Sequence, residues 1–247
     1  MTRILGAALA AVLLLGGGAG AQPFTEAQRE EVVRILREAL TRDPSILRDA
    51  IAAMQAEDER REAEARRAAI RAEHAALFRD PADPVRGNPR GDVTIVEFFD
   101  VRCGFCRRLH PELEALIAAD RGVRVVMKDL PILGPQSVWA ARALLAAHRQ
   151  GGYARLQDAL LRMRGEPTEA AIQAEARRVG LDWQRLRRDM EDPSIMARIE
   201  ANIGLAQRLA ISGTPALIIG ETLVPGAVDQ RTLAAVVAAA RAAQRGG

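Results

Sequence analysis

Two short stretches of the chain are apolar at nearly every position, which is typical of strands buried on both faces of a sheet. They are residues 93–99 (VTIVEFF) and residues 123–127 (VRVVM). Between them, residues 106–116 carry apolar side chains at helical spacing. Parallel strands need a crossover connection, so the order strand, helix, strand predicts a parallel βαβ unit.

The second half of the chain is predicted to be mostly helical. Helical patterns extend over residues 135–209, interrupted by glycine and proline. Short strands are then expected at residues 216–219 and 223–224, followed by a final helix at about residues 230–243. The pattern predicts an α/β domain, residues 93–247, in which a helical domain is inserted between the βαβ unit and a ββα end.

An amphipathic helical segment, residues 22–80, precedes this domain. Its first helix carries an apolar stripe formed by Val32, Val33, Leu36 and Leu40. Such a helix cannot bury its stripe by itself, so we expect it either to dock on the following domain or to form a homo-oligomer through residues 24–78. Residues 81–92 are rich in Asp, Pro and Gly and are predicted to be a linker.

The first 21 residues have the pattern of a cleaved signal peptide. Arg3 gives a positive start, residues 4–15 are apolar and uncharged, and small residues at 19–21 form a cleavage pattern. The apolar run is short for a membrane span, and an uncleaved N-terminal anchor is the alternative. The mature chain is therefore expected to begin near Gln22, in the periplasm.

The charge of the chain changes this picture little. A net charge of +3 over 247 residues is small and mixes both signs. The pI of 9.4 is therefore only a weak indication of nucleic-acid binding, and secretion argues against it. We expect no nucleic-acid partner.

The chain has two cysteines, Cys103 and Cys106. A lone cysteine pair in a secreted protein usually forms a structural disulfide that closes a loop of useful length. The ring between Cys103 and Cys106 is too small to constrain the unfolded chain much, so the spacing favours redox chemistry. A static short disulfide is the alternative.

Three segments resemble one family. Residues 97–106 (EFFDVRCGFC) resemble the DsbA-type thiol–disulfide oxidoreductases of the thioredoxin superfamily, and residues 128–134 (KDLPILG) and 211–215 (ISGTP) resemble the branch containing the ScsC (suppressor of copper sensitivity) proteins. The resemblance extends from about residue 87 to the C terminus. It implies a thioredoxin fold with an inserted helical domain, and several ScsC-like proteins oligomerise through an N-terminal helical segment.

Thiol–disulfide exchange begins with a thiolate. Cys103 lies where a strand passes into a helix, and the backbone N–H groups and dipole of a helix N terminus stabilise negative charge, so Cys103 is the predicted nucleophile. Cys106, one turn later, is placed to resolve the mixed disulfide. The resemblance implies that Glu97 is a buried acid that handles the proton of Cys106, with Lys128 as a candidate partner. A Glu97 side chain facing solvent is the alternative.

The resemblance also implies residues that bind clients. Thr214 and Pro215 match the cis-proline loop, whose backbone groups are free to bind an extended polypeptide. An ordinary trans turn is the alternative. Phe105 is expected to be exposed and to contact unfolded clients.

The Gly104-Phe105 dipeptide between the cysteines lacks the histidine of the strongly oxidising relatives. We therefore expect isomerase or reductase activity, without a cofactor, on unfolded or misoxidised secreted proteins. The expected redox partner is a membrane protein, either a DsbD- or ScsB-like reductant or a DsbB-like oxidase. Two alternatives stay open: a net dithiol oxidase, and a copper(I)-binding or delivery protein that uses Cys103 and Cys106.

Overall fold

The computed structural model describes residues 24–246, which fall into two compact units divided between Arg60 and Arg61. The signal peptide predicted for residues 1–21 lies outside the described residues. Within residues 24–246, no helix combines the length and apolar character needed to cross a membrane.

The first unit is helical. Helix α1 (Glu26–Arg42) begins with a capping box, in which Thr25 Oγ1 accepts a hydrogen bond from the backbone of Gln28 and the Gln28 side chain accepts one from the backbone of Thr25. Helix α2 (Ser45–Ala72) follows Asp43, whose carboxylate accepts the Ser45 N–H at 3.0 Å. No residue of α1 is buried. Its exposed apolar residues are Val32, Val33, Ile35, Leu36 and Leu40.

The second unit is built on a mixed five-stranded sheet in the order β1-β3-β2-β4-β5. Strands β2 and β3 are parallel, and the other neighbours are antiparallel. The two buried strands predicted from the sequence are confirmed as β2 and β3. The strands are β1 (Val85–Gly87), β2 (Val93–Phe99), β3 (Val123–Asp129), β4 (Ala216–Ile219) and β5 (Thr222–Pro225).

Helices connect and cover this sheet, which confirms the predicted α/β fold with a helical insertion. Helix α4 (Gly104–Ala119) is the crossover between β2 and β3, and α10 (Gln230–Gly246) follows β5. The insertion between β3 and β4 comprises α5 (Pro135–His148), α6 (Tyr153–Arg162), α7 (Glu169–Arg178), α8 (Trp183–Asp189) and α9 (Pro193–Arg208).

Alternate residues of the central strands point to two different apolar clusters. Ile95 and Phe99 of β2 belong to the cluster formed with α4, α10 and most of the insertion. Val96 and Phe98 belong to a second cluster on the opposite face, where Ile70 of α2 and Leu77 pack. This alternation follows from the period of two along a strand, and it determines which side chains can meet near the cysteines.

The boundary of the N-terminal segment differs from the prediction. The predicted linker, residues 81–92, contains β1, which pairs with β3 and ends at Gly87. Gly87 has φ of +71°, and a Cβ there would lie 2.6 Å from the carbonyl oxygen of Val123. A three-residue edge strand among turn-forming residues carries almost no periodic signal, so the sequence pattern does not reveal it. The preceding short helix α3 (His74–Phe78) and the end of α2 also pack within the second unit.

Candidate active site

Cys103 lies at the junction predicted from the sequence. It is the N-cap residue of α4, with φ of −69° and ψ of 118°, directly after the turn that follows β2. The turn is held by Asp100, whose carbonyl accepts the N–H of Cys103 at 3.0 Å and whose carboxylate accepts the N–H of Arg102 at 2.9 Å. Cys103 therefore lies at the end of α4 where the first N–H groups have no partner within the helix, although its sulfur makes no capping hydrogen bond to them.

The two sulfurs have different surroundings. Both cysteines are free thiols; Cys103 keeps 8 % of its surface exposed, whereas Cys106 is completely buried in the first turn of α4. Burial raises the pKa of the Cys106 thiol far above its usual range, and the negative charge of Glu97 raises it further. Only Cys103 can meet a macromolecular disulfide without rearrangement.

The loop before β4 brings a proline turn to the nucleophile. The Cys103 thiol donates a hydrogen bond to the carbonyl oxygen of Thr214, with a sulfur–oxygen distance of 3.1 Å. The Thr214–Pro215 peptide bond is cis. This loop reaches the cysteines because β4, which follows it, pairs with β2, which precedes them. Cys103 and Thr214 are 111 residues apart in the sequence, and the sheet brings their two segments together.

Glu97 lies in the middle of β2 and is buried, so the solvent-facing alternative is wrong. Its side chain is on the sheet face that carries the cysteines and α4, because it alternates with Val96 and Phe98 of the opposite face. Burial raises the pKa of its carboxyl to about 7; the charge of Arg86 lowers it and that of Glu114 raises it. A carboxyl with this pKa can accept or release a proton near neutrality.

Lys128 is not the partner of Glu97. In the parallel β2–β3 register Lys128 is opposite Phe98, so its side chain lies on the other face of the sheet. There the ammonium group forms a buried ion pair with Asp83 and donates a hydrogen bond to the carbonyl of Ala76 at 2.8 Å. The expectation that Lys128 would pair with Glu97 is therefore wrong.

Arg86 of β1 is the cation that lies on the same face of the sheet as Glu97. It is buried and aligned with Val125 of β3, on the same face as Glu97. Its guanidinium forms an ion pair with Glu114 at 2.6 Å and donates to the Gln157 amide oxygen at 2.5 Å. Sequence reasoning missed this residue because it lies in the segment assigned to the linker.

His110 is a second residue whose place the sequence does not reveal, because helical spacing alone suggests a surface position. It is buried in α4, and its Nε2 lies 2.7 Å from the Asp158 carboxylate. Desolvation lowers the pKa of its imidazole, and the hydrogen bond to Asp158 opposes that effect. His110, Arg86 and Glu114 therefore form a polar region behind the cysteines.

An open groove of about 720 Å³ runs past the proline loop. Phe105, predicted to be exposed, has 54 % of its surface accessible and lies in this groove. Other residues that line it come from the proline loop, from β5 and from the last turns of α2: Ser212, Gly213, Thr214, Pro215, Leu223, Arg66 and Arg67. The groove lies directly beside Cys103, which is hydrogen-bonded to one of its walls.

The copper(I) alternative names the sulfurs of Cys103 and Cys106 as the metal ligands. Within residues 24–246, no group of three or more His, Cys, Asp or Glu side chains is arranged to hold a metal ion. The copper(I) alternative therefore rests on Cys103 and Cys106 alone.

Comparison with known proteins indicates the same fold. Many solved structures are similar to this chain, and three of them illustrate the match. A thioredoxin-like oxidoreductase from Silicibacter pomeroyi DSS-3 is 48 % identical, with 68 % of this chain and 96 % of that one covered and a TM-score of 0.66. A linker-deletion mutant of Proteus mirabilis ScsC is 28 % identical, covering 90 % and 99 %, with a TM-score of 0.68. A periplasmic thioredoxin-like protein from Salmonella enterica serovar Typhimurium is 37 % identical, covering 68 % and 95 %, with a TM-score of 0.64.

Curated relatives are matched only over part of their length. A Na⁺/H⁺ antiporter NhaA of Salinispora arenicola is 32 % identical over 171 residues, which are 67 % of this chain and 26 % of the antiporter. The chain thus spans about a quarter of the length of these relatives. Residues 94–238, more than half of the chain, match the family model described as the DSBA-like thioredoxin domain. The chain therefore belongs to the family of DSBA-like thioredoxin domains, with ScsC and DsbA-like thiol–disulfide oxidoreductases among its structural neighbours.

Proposed function

We propose that this protein is a periplasmic thiol–disulfide oxidoreductase that reduces or isomerises disulfides in secreted proteins through Cys103 and Cys106. The observation that carries the proposal is the placement of the Cys103 sulfur, at the N terminus of α4 and 3.1 Å from the carbonyl of Thr214. A client disulfide in the groove would meet the sulfur of the helix N-cap residue Cys103 on one side and the backbone of the cis-proline loop on the other.

The chemistry needs two exchange steps. The Cys103 thiolate attacks one sulfur of a client disulfide; that bond breaks, the other client sulfur leaves as a thiolate, and a Cys103–client disulfide forms. In isomerisation a second client thiolate attacks the client sulfur and Cys103 leaves, without net redox change. In reduction the Cys106 thiolate attacks the Cys103 sulfur, releases the client as a dithiol, and leaves a Cys103–Cys106 disulfide that a dithiol of the membrane reductant must reduce.

Cys106 cannot ionise easily at its buried position, so the second step needs a proton acceptor. Glu97 is proposed to take this proton, because its pKa of about 7 allows the neutral and ionised forms to exchange at neutral pH. Transfer from the Cys106 thiol to the Glu97 carboxylate leaves the net charge of the buried region unchanged. This avoids the high cost of placing two negative charges there.

Reduction or isomerisation is favoured over net oxidation by two features. No histidine lies between the cysteines. The N-terminal unit also exposes apolar residues on α1, which suits assembly into a homo-oligomer with several active sites. The proposed partners are misoxidised secreted proteins as clients and a DsbD- or ScsB-like membrane reductant. The periplasmic location is supported by the N-terminal pattern and by the name of the Salmonella structural neighbour.

The test is refolding of scrambled ribonuclease by the parent chain, by Cys103→Ser and by Cys106→Ser, together with the reduction potential of the cysteine pair. The proposal predicts refolding activity that requires Cys103, a mixed disulfide that accumulates with Cys106→Ser, and a potential below that of a strong oxidase. A highly oxidising potential would establish a net dithiol oxidase. Absence of exchange in the parent, together with copper(I) binding that is lost in Cys103→Ser, would establish the metal-binding alternative.

A further inference from the structure

We infer that the groove beside Cys103 selects client segments that carry acidic side chains near the reacting cysteine. The inference rests on the proposed function and names the substrate class of the same site. It comes from the arginines Arg66 and Arg67, which line the groove together with the proline loop. Neither residue belongs to the segments that carry the family resemblance.

The end of α2 packs within the second unit, so the positions of these arginines at the groove are fixed. Ile70, one turn later in the helix, is buried in the apolar cluster behind β2. The next residue, Arg71, forms an ion pair with Glu221 at 2.7 Å. Arg66 and Arg67 lie three to four residues before Ile70 and are therefore held at the rim of the groove.

The rim carries uncompensated positive charge. Within residues 24–246, Arg67 has no ion pair or side-chain hydrogen bond, and Arg66 contacts only Glu62, at 3.7 Å, with both side chains exposed. The groove's own carboxylate, Glu221, is neutralised by Arg71. The guanidinium of Arg108 lies 4.1 Å from the centre of the Phe105 ring, so it adds a further positive charge beside this groove residue.

This arrangement matches an extended client that has an apolar residue and a carboxylate close to its cysteine. The Phe105 ring offers an apolar contact, and the guanidinium groups of Arg66 and Arg67 can bind carboxylates. Charges at an exposed rim mainly accelerate encounter and exclude like-charged partners. A basic client segment should therefore react more slowly than an acidic one of the same shape.

The experiment uses the full chain and three synthetic peptides, each with one cysteine joined by a disulfide to 5-thio-2-nitrobenzoate. The peptides differ only in the residues around the cysteine, which are Asp/Glu, Asn/Gln or Lys. Attack of Cys103 on the peptide sulfur releases the coloured thiolate, and its release rate gives the second-order rate constant. We expect the acidic peptide to react about three- to tenfold faster than the neutral one, which corresponds to about one exposed ion pair or two, and the advantage to shrink as salt is added.

The variant Arg66→Gln/Arg67→Gln should remove most of this advantage. The matched control is Arg121→Gln/Arg188→Gln, which removes the same charge from two exposed positions outside the groove and should keep the parent's preference. An acidic preference that is equal in parent and groove variant, or absent in the parent, overturns the inference while exchange with the neutral peptide still supports the proposed function. If the neutral peptide fails to react with the parent chain, the proposed function itself is wrong.

Discussion

The substitution Glu97→Gln should stabilise the reduced protein at alkaline pH and leave it nearly unchanged in acid. The buried Glu97 carboxyl has a pKa of about 7 in the folded protein and an ordinary value of 4.5, with burial as the main cause. Between these two pH values the folded chain keeps a proton that the unfolded chain has lost. Folding stability therefore falls as pH rises through this interval and stays at the lower level above pH 7.

The size of the effect follows from the two pKa values. One unit of pKa difference corresponds to about 1.4 kcal/mol, so ionised Glu97 costs the folded protein about 3 kcal/mol above pH 7. Most of this loss, about 2.5 kcal/mol, falls between pH 5 and pH 8. Glutamine has nearly the same shape and no charge, so Glu97→Gln should lack this loss.

Urea unfolding of the parent and of Glu97→Gln, at pH 5 and pH 8 with both cysteines kept reduced, measures the difference directly. Glu200→Gln is the matched control, because Glu200 is exposed on α9; it should change with pH as the parent does. The reasoning is refuted if Glu97→Gln shifts the free energy of unfolding equally at both pH values. It is also refuted if the variant is less stable than the parent at pH 8 alone, because the charge would then be stabilising.

Three further outcomes are expected. Arg86→Met removes the charge that lowers the pKa of Glu97, so the pH-dependent loss of stability should extend above pH 7. Lys128→Met should leave the pH range of this loss unchanged, because Lys128 lies on the other face of the sheet. The same unfolding series measures both effects. Lys128→Met should nevertheless cost about 2 kcal/mol at neutral pH, measured in urea, because the buried carboxylate of Asp83 loses Lys128 and keeps only Arg198, at 3.2 Å, as a cationic partner. A cost below about 1 kcal/mol would contradict this pairing. Leu36→Asp should reduce the mass in solution, measured by light scattering, because it places a charge on the exposed apolar residues of α1 that are proposed to mediate assembly. An unchanged oligomer would exclude this face of α1 as the interface.

The central strands and the site around Cys103 could be predicted because their signals are local. β2 and β3 are apolar at nearly every position, and the Cys-Gly-Phe-Cys sequence follows β2 directly. The partner of Glu97 could not be predicted in the same way. It depends on which strand borders β3 and on which face each side chain lies, and a shift of one residue in register exchanges the faces. Arg86 and Lys128 are both cations on strands beside the core, and only the register separates them.

The boundary of the N-terminal segment could not be predicted from the sequence pattern either. Residues 57–71 have the pattern of a continuous solvated helix of alternating charges and alanines, and α2 is indeed unbroken from Ser45 to Ala72. Periodicity predicts a helix but does not show at which residue that helix starts to pack against another part of the chain. The one buried residue of α2, Ile70, is a single apolar side chain in a charged sequence. It carries too little signal to show that the second unit begins before the Pro-rich segment.

The contrast between the two sulfurs explains the order of the proposed reaction. Cys103 is partly exposed, lies at the N terminus of a helix and is hydrogen-bonded to the carbonyl of Thr214, so it can react with a client as soon as one binds. Cys106 is buried, and Glu97 disfavours its ionisation while the carboxylate is charged. A thiolate at Cys106 therefore becomes favourable when the same event neutralises Glu97. Release of the client should accordingly be slower than attack and should depend on Glu97, which gives a misoxidised client time to rearrange before the Cys103–Cys106 disulfide forms.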